Sequence, residues 1–253
     1  MSVEVGERDF AAALAAVTGV EGWLSDDQAR RLWEAARLVH SPGRIVEIGS
    51  FRGRSTIILR LAAKEGVEVV AIDPHGGGDR GPQEISPDGV RGEADNRAFR
   101  ANLAAAGVAD DVTHVRRMSH EAHPEVEDPI DLLYVDGAHR YEPARADIER
   151  WGARVRPGGA MLVHDSYNAV GVMLAQLRLL FLSSEWRYRG RCRSLAEYGR
   201  EGLSTAARVR NVLLQSAGVP YFARNCLIKV ALLAGLRPLA RLLGQPDEDD
   251  WPY

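Results

Sequence analysis

Four polar residues follow two short apolar runs near the middle of the sequence. Asp136 and His139 come after the first run, and His164 and Asp165 come after the second. Asp136 and Asp165 could share a hard divalent cation such as Mg²⁺, with His164 as a further ligand. His139 could take a proton from a substrate hydroxyl, because an imidazole titrates near neutral pH. The residues alone leave a simpler alternative open, which is two capping carboxylates and two surface histidines.

The apolar pattern from 129 to 167 predicts a strand, a helix and a second strand. Ala144, Ile148, Trp151 and Val155 recur at helical spacing between the two apolar runs. Two buried strands that are joined by a helix lie parallel, so their carboxyl ends meet at one edge of a sheet. The four polar residues therefore gather at that edge, where open α/β sheets bind ligands.

A proline and two glycines, at 157–159, interrupt the pattern before the second of these strands. Proline cannot donate to a strand ladder, and glycine weakens a strand interior. We therefore expect the second strand to cover only 160–163.

A turn with two glycines in the first half of the chain predicts a neighbouring ligand site. Gly49 and Gly53 are four residues apart, so the dinucleotide fingerprint G-x-G-x-x-G is absent. Glu47 precedes the first glycine, and Asp73 ends the next predicted strand, where a carboxylate can accept both hydroxyls of a ribose. The pattern suits a nucleoside without a pyrophosphate, although a turn and a strand end without any ligand remain an alternative.

Further elements are predicted on either side of this site. Ser25 and Gln28 have the spacing of a capping box, which predicts the start of a helix. A later helix is predicted over 95–106, and an antiparallel strand pair over 186–198. The stretch 74–92 is rich in glycine and proline, so we expect a long, lid-like loop there.

The chain is long enough for one large domain with appendages. We expect a core at 44–200, an N-terminal helical cap at 1–43 and a C-terminal helical extension at 201–253. The extension is apolar but broken by Pro220 and Pro238. It suits core packing or a dimer contact, or else peripheral contact with a membrane or a lipid-linked substrate.

Composition narrows the class of protein. The net charge of −3 gives no reason to expect a nucleic-acid partner. Cys192 and Cys226 are too few for a disulfide framework, which predicts reduced thiols in a cytoplasmic protein. The first residues lack the apolar segment of a signal peptide, and no run approaches the roughly 18 apolar residues of a membrane span.

Four stretches of the sequence carry a family resemblance, and they are EIGSFRGRST, AIDPH, FRANLAAAGVADDVTHVRRMS and LLYVDGAHRYEPARADIERWGARVRPGGAMLVHDS. Together they resemble the class I S-adenosylmethionine-dependent methyltransferases. Within that class the sequence looks most like the macrocin and mycinamicin sugar O-methyltransferases, a family that also includes proteins labelled cephalosporin hydroxylases. The resemblance covers about residues 25–200.

The resemblance implies an α/β fold, a Rossmann-like three-layer sandwich whose seven-stranded sheet is mostly parallel with an antiparallel last strand. It places the amino-acid part of S-adenosylmethionine over the glycine turn, the ribose on Asp73 and the adenine near Met118 and Ser119. The cofactor-binding residues that it implies are Glu47, Gly49, Ser50, Gly53, Ser55, Asp73, Met118, Ser119 and Asp136.

The resemblance also implies roles for the residues of the second site. His139 matches the general base of related sugar methyltransferases, and Asp136 matches a metal-binding acid. His164 stands where the family has the first member of an acid pair, which leaves Asp136 and Asp165 as the clear carboxylate ligands. Mg²⁺ or another divalent cation is expected from the resemblance, and the imidazole of His164 favours an ion that is softer than Mg²⁺.

The predicted function is O-methylation of a hydroxyl on a sugar, an oligosaccharide or a glycosylated metabolite, by a homo-oligomer. One alternative is a non-sugar acceptor such as a catechol or a polyketide. Another is an oxidoreductase or hydroxylase, against which the missing dinucleotide fingerprint and the lack of a 2-His-1-carboxylate spacing both argue. A third is a non-catalytic subunit, against which the presence of His139 and Asp136 argues.

Overall fold

The computed structural model of the protein describes residues 2–78 and 86–245, and its side chains from residue 9 onward. The strands in this part of the chain are β1 Gly43–Ile48, β2 Val67–Ile72, β3 Val112–Val115, β4 Ile130–Val135, β5 Val155–Val163, β6 Trp186–Cys192 and β7 Leu195–Arg200. The helices are α1 Ser2–Ala16, α2 Asp26–Arg37, α3 Arg54–Ala62, α4 Gly89–Ala105, α5 Tyr141–Gly152, α6 Val170–Leu179, α7 Thr205–Ser216, α8 Val219–Leu233 and α9 Arg237–Leu242.

The seven strands form one sheet in the order β3-β2-β1-β4-β5-β7-β6. The pairs β1–β2, β1–β4, β2–β3 and β4–β5 are parallel, whereas β7 is antiparallel to both β5 and β6. This topology confirms the predicted α/β fold with a mostly parallel sheet. The strand order reverses between β1 and β4, and ligands bind outside the carboxyl ends of the strands at such a switch point.

The sheet is covered on both faces, which explains why its central strands are almost entirely apolar. Every residue of β4 is buried, and its side chains alternate between the two faces. Leu132 and Tyr134 pack in a cluster with residues of α1, α2, α3 and α4. Leu133 and Val135 pack in a second cluster with residues of α5 and α6. These two clusters give the three-layer arrangement that the sequence predicts.

The prediction for α4 was wrong at its N-terminus. The apolar spacing predicts a helix from 95, but α4 begins at Gly89. Asp88 caps it, since the Asp88 carboxylate accepts hydrogen bonds from the backbone N–H groups of Val90 and Arg91. The stretch expected to be a loop is therefore shorter than 74–92, and its residues 79–85 lie outside the described residues.

The prediction for β5 was also wrong at its start. The strand begins at Val155 and includes the proline and glycines that were expected to precede it. Val155 pairs with Ile130, and the register then shifts before Ala160 pairs with Leu132. An irregularity of this kind lets one strand carry extra residues, so the proline does not need to donate to the ladder.

Local predictions at other helix ends are confirmed. Ser25 caps α2, and its backbone N–H donates to Gln28 Oε1 at 2.9 Å, which completes the capping box. Pro220 and Pro238 lie in the first turns of α8 and α9, so each proline marks the start of a helix in the extension. Among the described residues, no helix has both the length and the apolar character needed to cross a membrane.

Candidate active site

A cavity of about 610 Å³ opens at the carboxyl ends of the central strands. This volume suits a small-molecule ligand or a cofactor. The predicted site residues that line the cavity are Gly49, Asp73, Met118, Ser119, Asp136, His139, His164 and Asp165. Four further residues that the sequence assigns to the cofactor are not part of the lining, and they are Glu47, Ser50, Gly53 and Ser55.

The strand ends bring the polar residues together through backbone hydrogen bonds. The Asp136 N–H donates to the carbonyl of Ile48 at 2.8 Å, and the His164 N–H donates to the carbonyl of Val135 at 2.9 Å. Each residue therefore extends the ladder by one step beyond the strand that precedes it. This explains why residues that are distant in sequence converge at one edge.

Two histidines and two aspartates form paired contacts in the cavity. His139 Nε2 lies 2.8 Å from Asp165 Oδ2, and His164 Nδ1 lies 3.0 Å from Asp136 Oδ1. The Tyr134 hydroxyl donates to Asp136 Oδ2 at 2.9 Å, and Asn168 Nδ2 donates to Asp165 Oδ1 at 2.8 Å. Both carboxylates are therefore held in place from two sides.

Burial and charge act in opposite directions on this cluster. Burial disfavours the imidazolium of His139, but the fields of Asp165 and Asp136 outweigh it, so its pKa lies above the usual value. His164 is affected by burial and by the same two carboxylates, and its pKa lies well above the usual value. Burial alone would raise the pKa of Asp165, yet the two imidazoles lower it well below the usual value. The cluster therefore favours an ionised Asp165 beside protonated imidazoles.

A sharp turn after β5 presents Asp165 to the cavity. Asp165 and Tyr167 have φ values of 52° and 58°, in the left-handed region that non-glycine residues seldom adopt. The C-terminal helices stabilise the turn, since the Tyr167 hydroxyl donates to the carbonyl of Gln215 at 2.9 Å. Asn225 Nδ2 also donates to the carbonyl of Tyr167, at 3.2 Å. Backbone strain of this kind persists where the surrounding structure fixes it, often at a functional site.

The turn after β1 requires glycine at its first position. Gly49 has a φ of 88°, and a Cβ atom there would lie 2.1 Å from the carbonyl oxygen of Asp136. Across the turn, the Asp73 carboxylate accepts hydrogen bonds from the backbone N–H groups of Phe51 at 2.8 Å and His75 at 2.7 Å. These bonds fix its orientation, and the remaining lone pairs of its oxygens can accept from a ligand.

Glu47 lies in the protein interior, next to the glycine turn. It is fully buried and accepts hydrogen bonds from the hydroxyls of Ser55 and Thr56 at the start of α3. Burial raises its pKa from the ordinary 4.5 to about 8. Glu47 and Ser55 therefore join the β1 turn to α3, and this contact positions the turn from behind.

Glu47 gives the folded protein a pH-dependent stability of definite sign. Between pH 4.5 and about 8, the folded state retains a proton that the unfolded state has lost. The free energy of unfolding should therefore fall as the pH rises through this window, by up to about 1.4 kcal/mol per unit. In Glu47→Gln this contribution is absent, whereas in the exposed control Glu65→Gln it remains. Denaturant unfolding at about pH 5 and about pH 8 measures this change in the free energy of unfolding. If the free energy of unfolding changes equally with pH in the wild type and in Glu47→Gln, the prediction is contradicted.

Several cavity residues were not predicted from the sequence. Asp147 on α5 accepts a hydrogen bond from Ser119 Oγ at 2.5 Å, and burial raises its pKa to about 6. The sequence contains a signal for this residue, because Asp147 interrupts the apolar face that Ala144, Ile148 and Trp151 form. Asp147 therefore belongs to the same end of the cavity as Ser119.

Two aromatic residues form another unpredicted part of the wall. The rings of Trp23 and Phe51 lie 5.3 Å apart, and both residues line the cavity. Trp23 comes from the segment between α1 and α2, so its position depends on tertiary packing that a local pattern does not encode.

Three of the paired residues could hold a metal ion. Asp136, His139 and Asp165 each offer one ligand atom, and these atoms all lie within 4.8 Å of one another. Two carboxylate oxygens and one imidazole nitrogen are an acceptable donor set for a divalent cation of intermediate softness. His164 is outside this group, and its Nδ1 lies 3.0 Å from Asp136 Oδ1.

The sequence of the central region is similar to known methyltransferase sequences. Residues 46–166 match a protein-family model that is described as a methyltransferase domain. The uncharacterized protein y4gI of Sinorhizobium fredii (strain NBRC 101917 / NGR234) is 32% identical over 136 residues, which are 51% of this chain. The chain spans only 14% of the length of that relative.

Solved structures share the fold. Cofactor-bound Rv0187 from MTB has a TM-score of 0.53 at 23% identity, over 78% of this chain and 91% of that one. The O-methyltransferase NovP has a TM-score of 0.56 at 18% identity, over 70% and 80% of the two chains. An O-methyltransferase from Bacillus cereus in complex with SAH has a TM-score of 0.50 at 17% identity, over 76% and 91%. At these identities the likeness shows the fold alone.

Proposed function

We propose that the protein transfers a methyl group from S-adenosylmethionine to an alcohol oxygen, since residues 46–166 match a family model that is described as a methyltransferase domain. One observation carries the proposal. His139, a basic group held 2.8 Å from Asp165, lines the same cavity as Asp73, a carboxylate that could accept the hydroxyls of a ribose. A base and a nucleoside site in one cavity are what methylation of a hydroxyl requires.

The residues present fit the cofactor. The cavity volume of about 610 Å³ is adequate for a nucleoside with an amino-acid side arm. Asp73 can accept both ribose hydroxyls, and Gly49 leaves room for close approach at the turn. Ser119 and Asp147 offer polar groups for the adenine. When bound, S-adenosylmethionine supplies a methyl group on a positively charged sulfur.

His139 is suited to accept the proton of the alcohol. Its Nε2 is paired with Asp165, so the neutral ring carries its proton on Nε2 and leaves the lone pair on Nδ1. Asp165 thereby fixes the ring orientation and stabilises the imidazolium that forms. The raised pKa of His139 makes it a stronger base than an unpaired histidine.

The same cluster fits a divalent cation. Asp136 and Asp165 would hold it, with the His139 imidazole as the third donor within 4.8 Å. Such an ion lowers the pKa of an alcohol that it binds. A nitrogen that binds the ion cannot also take the proton, so metal binding would leave His139 only its second nitrogen for the base role.

We propose a sugar, an oligosaccharide or a glycosylated metabolite as the acceptor, which the strand-end residues of the sequence resemblance support. The segments outside 44–200 are proposed to determine the specificity for the acceptor, because Trp23 of the N-terminal segment lines the cavity. Four residues of the stretch 74–92 are proposed to exclude water because they also line the cavity, and they are Gly76, Gly77, Gly78 and Pro87.

Two measurements test the proposed function. Isothermal titration should detect binding of S-adenosylmethionine to the folded protein, and a failure to bind would contradict the proposal. A mass-spectrometric screen of glycosides and phenols should then find an acceptor that gains one CH₂ group. Repeating the reaction with Mg²⁺, Mn²⁺ or EDTA tests the metal, because full activity in EDTA would exclude a metal requirement.

A further inference from the structure

The C-terminal helices expose an unusual amount of apolar surface. Of the eighteen large apolar side chains that the described residues expose, ten lie between 209 and 242. Exposed apolar side chains that occur singly need no explanation, but a concentration of them marks a contact surface. These ten are Val209, Leu213, Leu214, Val219, Leu227, Val230, Leu233, Leu236, Leu239 and Leu242.

The exposed residues recur at helical spacing. In α8, Leu227, Val230 and Leu233 are 57%, 63% and 77% exposed, whereas Ile228 and Ala231 are buried. The helix therefore has one apolar face toward the protein and another toward solvent. Residues three apart lie on the same side of a helix, so the exposed face is a continuous stripe. The N-cap of α9, Leu236, and two residues of that helix, Leu239 and Leu242, have the same spacing.

The charge of this region differs from that of the whole chain. Between 202 and 245 there are six basic residues and no acidic residue, although the protein carries a net charge of −3. Four acidic residues follow at 247–250, outside the described residues. The six basic residues are Arg208, Arg210, Arg224, Lys229, Arg237 and Arg241.

Apolar stripes interspersed with basic side chains favour one kind of partner. A second copy of the chain, joined by a two-fold axis, would place one basic surface against another. Arg210, Arg237 and Arg241 are exposed, so an anionic lipid surface attracts them and takes the leucines into its headgroup boundary. We propose that α7, α8 and α9 form a docking surface for an anionic membrane, on which they lie without crossing it.

This surface is directly connected to the candidate active site. Lys229 of α8 donates from Nζ to the carbonyl of Asn168 at 2.8 Å. Asn168 in turn donates from Nδ2 to Asp165 Oδ1 at 2.8 Å. Membrane docking through α8 therefore holds the cavity edge near the lipid surface. If the proposed function is correct, this geometry favours a lipid-linked acceptor, but the docking itself does not depend on that function.

Vesicle sedimentation of the full chain tests the docking surface. The wild-type protein should sediment with vesicles of phosphatidylcholine and phosphatidylglycerol, and much less with phosphatidylcholine alone. Raised salt should weaken the binding, because basic residues supply part of the attraction. Equal binding to both kinds of vesicle, or no binding to either, would overturn the proposal.

An apolar double variant tests the contribution of the stripes. Leu233→Gln with Leu242→Gln removes side chains that are 77% and 83% exposed, and should lower the partition coefficient at least about tenfold. Leu38→Gln with Val90→Gln is the matched control, since these side chains are 70% and 82% exposed outside the extension. Circular dichroism should show both variants folded. An effect of equal size in the control would overturn the proposal.

A basic double variant tests the contribution of charge. Arg210→Gln with Arg241→Gln should lower binding to anionic vesicles at least about tenfold, while Arg97→Gln with Arg100→Gln should leave it unchanged. Light scattering in the absence of lipid tests whether a second copy of the chain occupies this surface instead. A dimer that Leu233→Gln with Leu242→Gln dissociates, combined with no vesicle binding by the wild type, would assign the surface to a second copy instead.

Discussion

Replacing His139 with alanine should lower kcat by about 10²–10⁴-fold, which is the usual contribution of a positioned general base. The dissociation constant for S-adenosylmethionine should change little. His139 contacts Asp165 at 2.8 Å, whereas the groups proposed to bind the cofactor are Asp73 and the glycine turn. Stopped assays at saturating cofactor give kcat, and isothermal titration gives the dissociation constant.

A second variant separates proton transfer from ring positioning. The side chain of His139→Gln can still donate to Asp165 but cannot take a proton at neutral pH. It should therefore be nearly as inactive as His139→Ala. The exposed His40→Ala, which lies outside the cavity lining, is the matched control and should keep full activity. Full activity of His139→Gln would contradict the base role and leave His139 with positioning alone.

The pH profile provides an independent check. A general base must be deprotonated to act, so the rate should rise with pH through the pKa of His139. The carboxylates of Asp165 and Asp136 outweigh the effect of burial and raise this pKa above its ordinary value of 6.5. The acid limb of the wild-type profile should therefore lie above pH 6.5, and it should be absent from the residual activity of His139→Gln.

Much of the fold follows from local sequence pattern. The apolar runs that end at Ile48, Ile72 and Val135 are the ends of β1, β2 and β4 in the structure. Because parallel strands present their carboxyl ends at one edge, the residues that follow these runs, which are Gly49, Asp73 and Asp136, could be assigned to a common site. That reasoning placed Asp73 and Asp136 in one cavity without any tertiary information.

Other features depend on contacts that a local pattern does not contain. The pairing of His164 with Asp136, and of His139 with Asp165, requires a left-handed turn at Asp165 that helices from the end of the chain stabilise. The early start of α4 depends on the cap at Asp88, which has no apolar periodicity. Chemistry at a strand end can thus be predicted from sequence, whereas the partners of each side chain follow from packing.

Asp73 is the residue whose loss should most weaken cofactor binding. Its carboxylate faces the cavity and is oriented by the N–H groups of Phe51 and His75 at 2.8 and 2.7 Å. Each hydrogen bond from a ribose hydroxyl to a charged acceptor contributes about 1.5–3 kcal/mol. Loss of both in Asp73→Ala should therefore weaken binding of S-adenosylmethionine by at least about 100-fold. At saturating cofactor, kcat should change much less.

Nucleoside competitors show whether Asp73 acts through the ribose. The wild-type protein should bind adenosine much more tightly than 2′,3′-dideoxyadenosine, which lacks both hydroxyls. In Asp73→Ala this preference should disappear, because the acceptor for those hydroxyls is gone. The exposed Asp110→Ala is the matched control and should keep it. A preference that persists in Asp73→Ala would mean that the ribose binds elsewhere in the cavity, and that the weaker binding comes from a displaced β1 turn, whose Phe51 N–H has lost its acceptor.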